Sequence, residues 1–175
     1  MTIRTCRQRG TDEYCRILCP TDFSSLADEG LDRAARLAAR DRAELVLVHV
    51  LPPASAYAVP EMAGSVLIRF ADQWREDAWR TLCRIRDRIR QTGVVTHAIL
   101  REGYPPDQIV RVAGRLRCDL IVLATRGRTG FLHRLLGSSV AEGVMRRAPC
   151  PILAYRSPQS SPTHGRVKNP WKVAA

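Results

Sequence analysis

The sequence predicts an α/β protein, a doubly wound parallel sheet with helices on both faces. Three observations predict it. Strand-like and helix-like patterns alternate from residue 16 to residue 155. The strand runs are apolar throughout rather than alternating, as in Leu120-Ile121-Val122-Leu123, which is the pattern of strands buried on both faces. Helical segments separate them, as crossovers between parallel neighbours require.

Taken in order, Arg16-Ile17-Leu18-Cys19 is a short apolar strand stopped by Pro20. From Ser24 to Arg40, residues Ala27, Leu31, Ala34, Ala35 and Ala38 share one helical face, and Ser25-Leu26-Ala27-Asp28 has the form of a capping box. Leu45 to Val50 is the second strand, ended by Pro52-Pro53, and residues 54–64 read as a loop. A long helix then spaces Leu67, Phe70, Trp74, Ala78, Leu82, Ile85 and Ile89 by threes and fours, and Gly93 closes it. Val94 to Leu100 is the third strand, Pro106 to Leu116 a short helix, and Asp119 to Ala124 the fourth strand. A glycine-bearing loop leads to a helix from about Ser139 to Arg147, opened by the capping-box match Ser139-Val140-Ala141-Glu142. Pro151 to Tyr155 is the last strand.

The ends read as tails. Residues 1–14 lack periodicity, and 157–175 form a basic, Ser- and Pro-containing stretch, leaving one domain at 15–156. No apolar run approaches the roughly 20 residues that span a bilayer, and no apolar stretch follows Arg4, Arg7 and Arg9, so a cytoplasmic protein is expected. Without a secretory signal, Cys6, Cys15, Cys19, Cys83, Cys118 and Cys150 are expected as reduced thiols. Cys15-x3-Cys19 alone lacks the second ligand pair of a zinc site, and no metal site is expected.

The net charge is +11, of which the amino-terminal 15 residues carry +1 and residues 157–175 carry +3, so +7 belongs to the folded part. That basicity is almost all arginine and favours anions in general. Nucleic acid as a partner is disfavoured, because aromatic residues make up only 6% and no groove-reading or stacking motif is present.

Ligands of such sheets sit beyond the carboxyl ends of the strands, where strand order reverses. Two segments fall there: Pro20-Thr21-Asp22-Phe23-Ser24, and the loop from Ala124 to Ser139. In the latter, Gly127 and Gly137 permit close backbone approach, Ser138 and Ser139 stand at a helix start, and Arg126 and Arg128 add positive charge. Such a loop suits a phosphate, and it equally suits plain turn and cap chemistry.

The stretch Asp119-Leu120-Ile121-Val122-Leu123-Ala124-Thr125-Arg126-Gly127-Arg128-Thr129-Gly130, followed by Leu135-Leu136-Gly137-Ser138-Ser139-Val140-Ala141-Glu142 and Ala148-Pro149-Cys150-Pro151-Ile152-Leu153, resembles the carboxyl-terminal signature of universal stress proteins. Ile17-Leu18-Cys19-Pro20-Thr21-Asp22-Phe23-Ser24 resembles the family's opening strand and loop, and Leu47-Val48-His49-Val50 its second strand. Gly103-Tyr104-Pro105-Pro106-Asp107-Gln108-Ile109 resembles the segment after its third. The resemblance spans roughly residues 14–156 with the elements in order. It implies a Rossmann-like, five-stranded parallel sheet of strand order 3-2-1-4-5, and membership of the ATP-binding type. Of that type's Gly-x2-Gly-x9-Gly-[Ser/Thr] pattern, Gly127 and Gly137-Ser138 are present, and Ala124 replaces the first glycine.

Carried over by position, the resemblance implies an ATP site. Pro20, Thr21 and Asp22 would hold the ribose and adenine end, with Leu45 bordering the adenine. Leu123, Ala124, Arg126 and Gly127 would line the ribose and phosphates, and Gly137, Ser138, Ser139 and Val140 would close over the phosphates. Asp22 is also a carboxylate able to help hold a Mg2+ ion. The resemblance further implies a homodimer through the last strand, Pro151 to Tyr155.

Catalysis is not expected. The lysine of a P-loop is missing from Gly127-Arg128-Thr129-Gly130, and neither paired carboxylates nor a nucleophile with its base can be picked out. His133 reads as a surface residue, and His49 and His97 as strand residues with structural partners. Two functions stand: an ATP-binding stress-response module, or a member without nucleotide that works as a protein-interaction module. Asp22, Gly127, Gly137, Ser138 and Ser139 favour the first; Ala124 and Arg126 favour the second.

Overall fold

A computed structural model describes residues 13–53, 64–125 and 140–156, with side chains at 13–53, 71–124 and 140–155. The chain runs β1 (Arg16–Pro20), α1 (Ser25–Asp41), β2 (Glu44–Leu51), α2 (Gly64–Arg90), β3 (Thr96–Glu102), α3 (Pro105–Arg115), β4 (Leu120–Thr125), α4 (Val140–Met145) and β5 (Ile152–Arg156). Each expected strand is present, and the five form one parallel sheet in the order β3-β2-β1-β4-β5.

Alternate residues of the strands feed two separate apolar layers, as the pleat dictates. Ile17, Leu45, Leu47, Leu120 and Val122 meet Leu31, Ala34 and Ala38 of α1 and Leu82 and Ile89 of α2. Leu18, Val46, Val48, Ile121 and Leu123 meet Ile109, Val112 and Ala113 of α3 and Val144 of α4. Small alanines on α1 let that helix lie close to the sheet. Leu18, Val46 and Ile121 are essentially inaccessible, which accounts for the unbroken apolar runs. Trp74, read with the buried face of α2, is 45% exposed instead; Ala78, Leu82 and Ile89 carry the packing. Leu67 and Phe70 lie outside the described side chains.

Polar groups pin the amino ends of the strands. Asp119 accepts from the amides of Cys15 (2.6 Å) and Arg16 (3.0 Å), and the Arg16 guanidinium donates to Glu44 at 2.7 Å and to the Leu116 carbonyl at 2.5 Å. Cys19, Cys83, Cys118 and Cys150 are free. Burial pushes the Cys19 and Cys118 thiols up to about 12, so they behave as small apolar groups. Cys15 departs from the expected reduced state: it is disulfide-bonded. It precedes β1 and is only half-buried, whereas Cys19 is sealed in the core.

Helix boundaries follow their caps. The α1 cap is Ser24, not Ser25: its hydroxyl accepts from Ala27 N at 3.2 Å, and the Asp28 amide closes on the Ser24 carbonyl at 3.0 Å. The cap sits one residue earlier because both serines can cap and the preceding turn selects the first, and with Ala27 at the third helical position no reciprocal capping box forms. Gly93 adopts φ 86°, the left-handed conformation that the turn after α2 demands. No helix among the described residues is long and apolar enough to cross a membrane.

Candidate functional site at the strand-order reversal

The order β3-β2-β1-β4-β5 reverses direction between β1 and β4. There the two strands part. Among the described residues they are in register only at Ile17–Leu120 and Leu18–Ile121, yet β1 continues to Pro20 and β4 to Thr125. β1 stays paired with β2 to its end, Pro20 against Val48, and Thr21 N donates to the Val48 carbonyl at 2.9 Å. β4 stays paired with β5 to Thr125 against Arg156. The ladder between the two ribbons therefore stops short of their carboxyl ends, the place where ligand crevices of open α/β sheets lie.

The β1 side is a tightly bonded turn. Thr21 is only 6% exposed, and its Oγ1 accepts from Phe23 N at 3.0 Å. Asp22 Oδ1 accepts from Ser24 N at 3.0 Å. Asp22 is exposed, and its Oδ2 has no protein partner among the described residues. Thr21 is thus spent on the turn, and Asp22 is the group offered outward. Phe23 adopts φ 62°, unusual for a bulky residue. Its ring stacks on His49 with centroids 4.1 Å apart and planes 24° from parallel. His49 Nδ1 lies 2.8 Å from the Thr21 carbonyl oxygen. Burial lowers the His49 pKa, against the opposing pull of the Thr21 carbonyl and the Asp22 charge, so the ring is neutral near pH 7.

On the β4 side, Leu123 turns its side chain into the α3/α4 layer and presents backbone only. Ala124 turns its methyl group toward α1. A Cβ built on Gly30 would lie 3.0 Å from the Ala124 Cβ and 3.4 Å from its nitrogen. The carbon added by having alanine here is thus matched by the carbon that Gly30 lacks. One helical turn on, the Arg33 guanidinium sits 5.1 Å from the centre of the Tyr155 ring, and Tyr155 is the β5 neighbour of Ala124.

Of the expected site residues, Pro20, Thr21 and Asp22 stand at the end of β1, Leu123 and Ala124 near the end of β4, and Val140 opens α4 with 42% of its surface exposed. Arg126, Gly127, Gly137, Ser138 and Ser139 lie outside the described residues. Leu45 is corrected. It is the second residue of β2, fully buried, in register with Ile17 and Thr96 near the amino edge. Three residues, or roughly 10 Å of strand, separate it from Val48 beside Thr21. His49 and Val50 occupy the β2 position that borders the crevice, and Gly30, Arg33 and His49 are the neighbours that the sequence reading did not single out. No group of three His, Cys, Asp or Glu able to hold a metal ion occurs among the described residues.

This architecture is an open parallel α/β sheet with a topological switch point between β1 and β4. The chain belongs to the universal stress protein family, whose model matches residues 13–156. It is similar to the universal stress protein MJ0531 of Methanocaldococcus jannaschii, with 32% identity over 152 residues, covering 87% of this chain and 88% of that protein. Among solved structures it is similar to UspA from Lactobacillus plantarum: 26% identity, TM-score 0.68, 82% of this chain and 99% of the other covered. The universal stress protein from Archaeoglobus fulgidus, solved in complex with dAMP, is 26% identical with TM-score 0.55, covering 81% of this chain and 97% of the other.

Proposed function

We propose that the protein binds ATP in the β1/β4 crevice and serves as a stress-response regulatory module rather than an enzyme. The observation that carries this reading is the parting of β1 and β4 with an exposed carboxylate oxygen of Asp22 at the rim that has no partner among the described residues. A hydroxyl pair such as that of a ribose matches a carboxylate acceptor, and a Mg2+ ion accompanying the phosphates would find an oxygen ligand there. The dAMP bound by the Archaeoglobus relative supports an adenine nucleotide as the ligand class. The seat for the Ala124 methyl against Gly30 supports it too, because that methyl is directed at the helix. Arg126, Gly127, Gly137 and Ser138 are assigned to the phosphates by the family pattern.

Calorimetric titration of nucleotide-stripped protein with ATP and Mg2+ tests the reading, beside Asp22→Ala. Micromolar or tighter binding is expected, weakened at least about tenfold in the variant, as for a lost hydrogen bond to a charged group. A folded wild type that takes up no ATP contradicts it and leaves the protein-interaction reading.

We also propose a homodimer through β5. This edge strand exposes Leu153 (42%), an apolar group that a second copy would cover. Light scattering should give twice the chain mass, falling to one in Leu153→Lys; a monomeric wild type rejects the pairing.

A further inference from the structure

We infer that His49 is a positioning residue for this crevice: through the Thr21 carbonyl and the Phe23 ring it holds the turn that presents Asp22. The inference rests on the nucleotide reading above.

β1 ends at Pro20, so Thr21 to Ser24 must be held by something other than the sheet. His49 lies one residue past Val48, the last β2 residue in register with β1, which puts its ring beneath that turn. Its Nδ1 is 2.8 Å from the Thr21 carbonyl oxygen, and a carbonyl accepts, so Nδ1 carries the hydrogen and Nε2 is the bare nitrogen. The flat face of the same ring packs on Phe23 at 4.1 Å between centroids. Phe23 needs such support, because its φ of 62° is one that a bulky residue rarely adopts. With Phe23 turned this way, its amide reaches Thr21 Oγ1 and the next amide, of Ser24, reaches Asp22 Oδ1, both at 3.0 Å. The second bond occupies one oxygen of the carboxylate and leaves the other for a ligand. By the strand period His49 shares the face of β2 with Leu45 and Leu47, so its ring closes the end of the apolar layer against which Phe23 packs.

Three substitutions separate its two contacts. His49→Asn keeps a donor at the equivalent of Nδ1 and loses the ring; His49→Phe keeps the ring and loses the donor; His49→Ala loses both. In ligand-free protein, amide exchange at Phe23 and Ser24 should rise about tenfold in His49→Ala and less in the other two, while Leu18 and Ile121 keep their protection. ATP affinity should fall about five- to tenfold in His49→Ala. Imidazole nitrogen shifts of the wild type should report the hydrogen on Nδ1.

Unchanged exchange at Phe23 and Ser24 in a folded His49→Ala variant overturns the inference, as does an Nε2–H tautomer in the wild type. Faster exchange with undiminished ATP affinity also overturns it, since the turn would then not matter to the ligand. Faster exchange in a protein whose wild type binds no ATP overturns the nucleotide reading, and with it the ligand role of His49, while the clamp on the turn stands.

Discussion

The carboxyl ends of β1 and β4 flank one crevice and are built by opposite means. After β1, the chain is set by directional bonds: Thr21 N to Val48 O, His49 Nδ1 to Thr21 O, Phe23 N to Thr21 Oγ1 and Ser24 N to Asp22 Oδ1. At the end of β4, the described chain is set by size, the Ala124 methyl seated where Gly30 has none. Bonds of the first kind fix where a polar group points. A fit of the second kind fixes how closely a helix lies over a strand. The two sides should therefore fail differently, the β4 side through overpacking and the β1 side through lost direction.

The largest effect is expected on the β4 side. Gly30→Val places a branched side chain where Cβ alone would lie 3.0 Å from the Ala124 Cβ, and it should cost about 2–3 kcal/mol. Thermal unfolding should show a Tm lowered by on the order of 5 °C or more. Adding Ala124→Gly should recover much of the loss, and a double-mutant cycle with no coupling would show that the two residues do not share the space.

On the β1 side, Ser24→Ala removes the cap acceptor for Ala27 N and should cost about 1 kcal/mol in denaturant unfolding, with an unchanged m-value. Combined with Gly30→Val it should be additive if the two exits are independent.

The smallest effect concerns pH. Burial holds the folded-state pKa of His49 below its ordinary value of 6.5, so the unfolded chain takes up its proton first as pH falls. The contribution of the neutral ring is intact above about pH 6.5 and is lost as pH falls from there through the lower folded-state value. Stability of the wild type should decline over that window relative to His49→Phe. Parallel profiles for the two proteins would remove His49 as the source.

The sheet was legible in the sequence because strands buried on both faces leave apolar runs, and each expected strand matches an observed one to within two residues at most of its ends. Where the reading went astray, tertiary context decided. A run such as Leu45-Val46-Leu47-Val48 does not say which of its ends meets the ligand; only the register with Pro20 shows that Leu45 lies at the far edge. Ser24 and Ser25 are equally fit to cap a helix, and the Asp22 turn chooses between them. Trp74 keeps the helical spacing of a core residue and is still largely exposed. His49 read as a strand residue with a structural partner; that the partner is the Thr21 carbonyl depends on β2 running past the end of β1, which no local pattern carries. That Asp22 stands exposed at the end of β1 was legible because its place just after the first strand is itself the signal.

The most direct measurement is an amide-resolved NMR titration of the nucleotide-stripped protein with ATP and Mg2+. The account predicts shifts concentrated at Thr21 to Ser24, at His49 and Val50, and at Ala124 and Thr125, with Cys15, Leu45 and Asp119 at the opposite edge unmoved. Shifts confined to that opposite edge, or none at millimolar ATP, would contradict it.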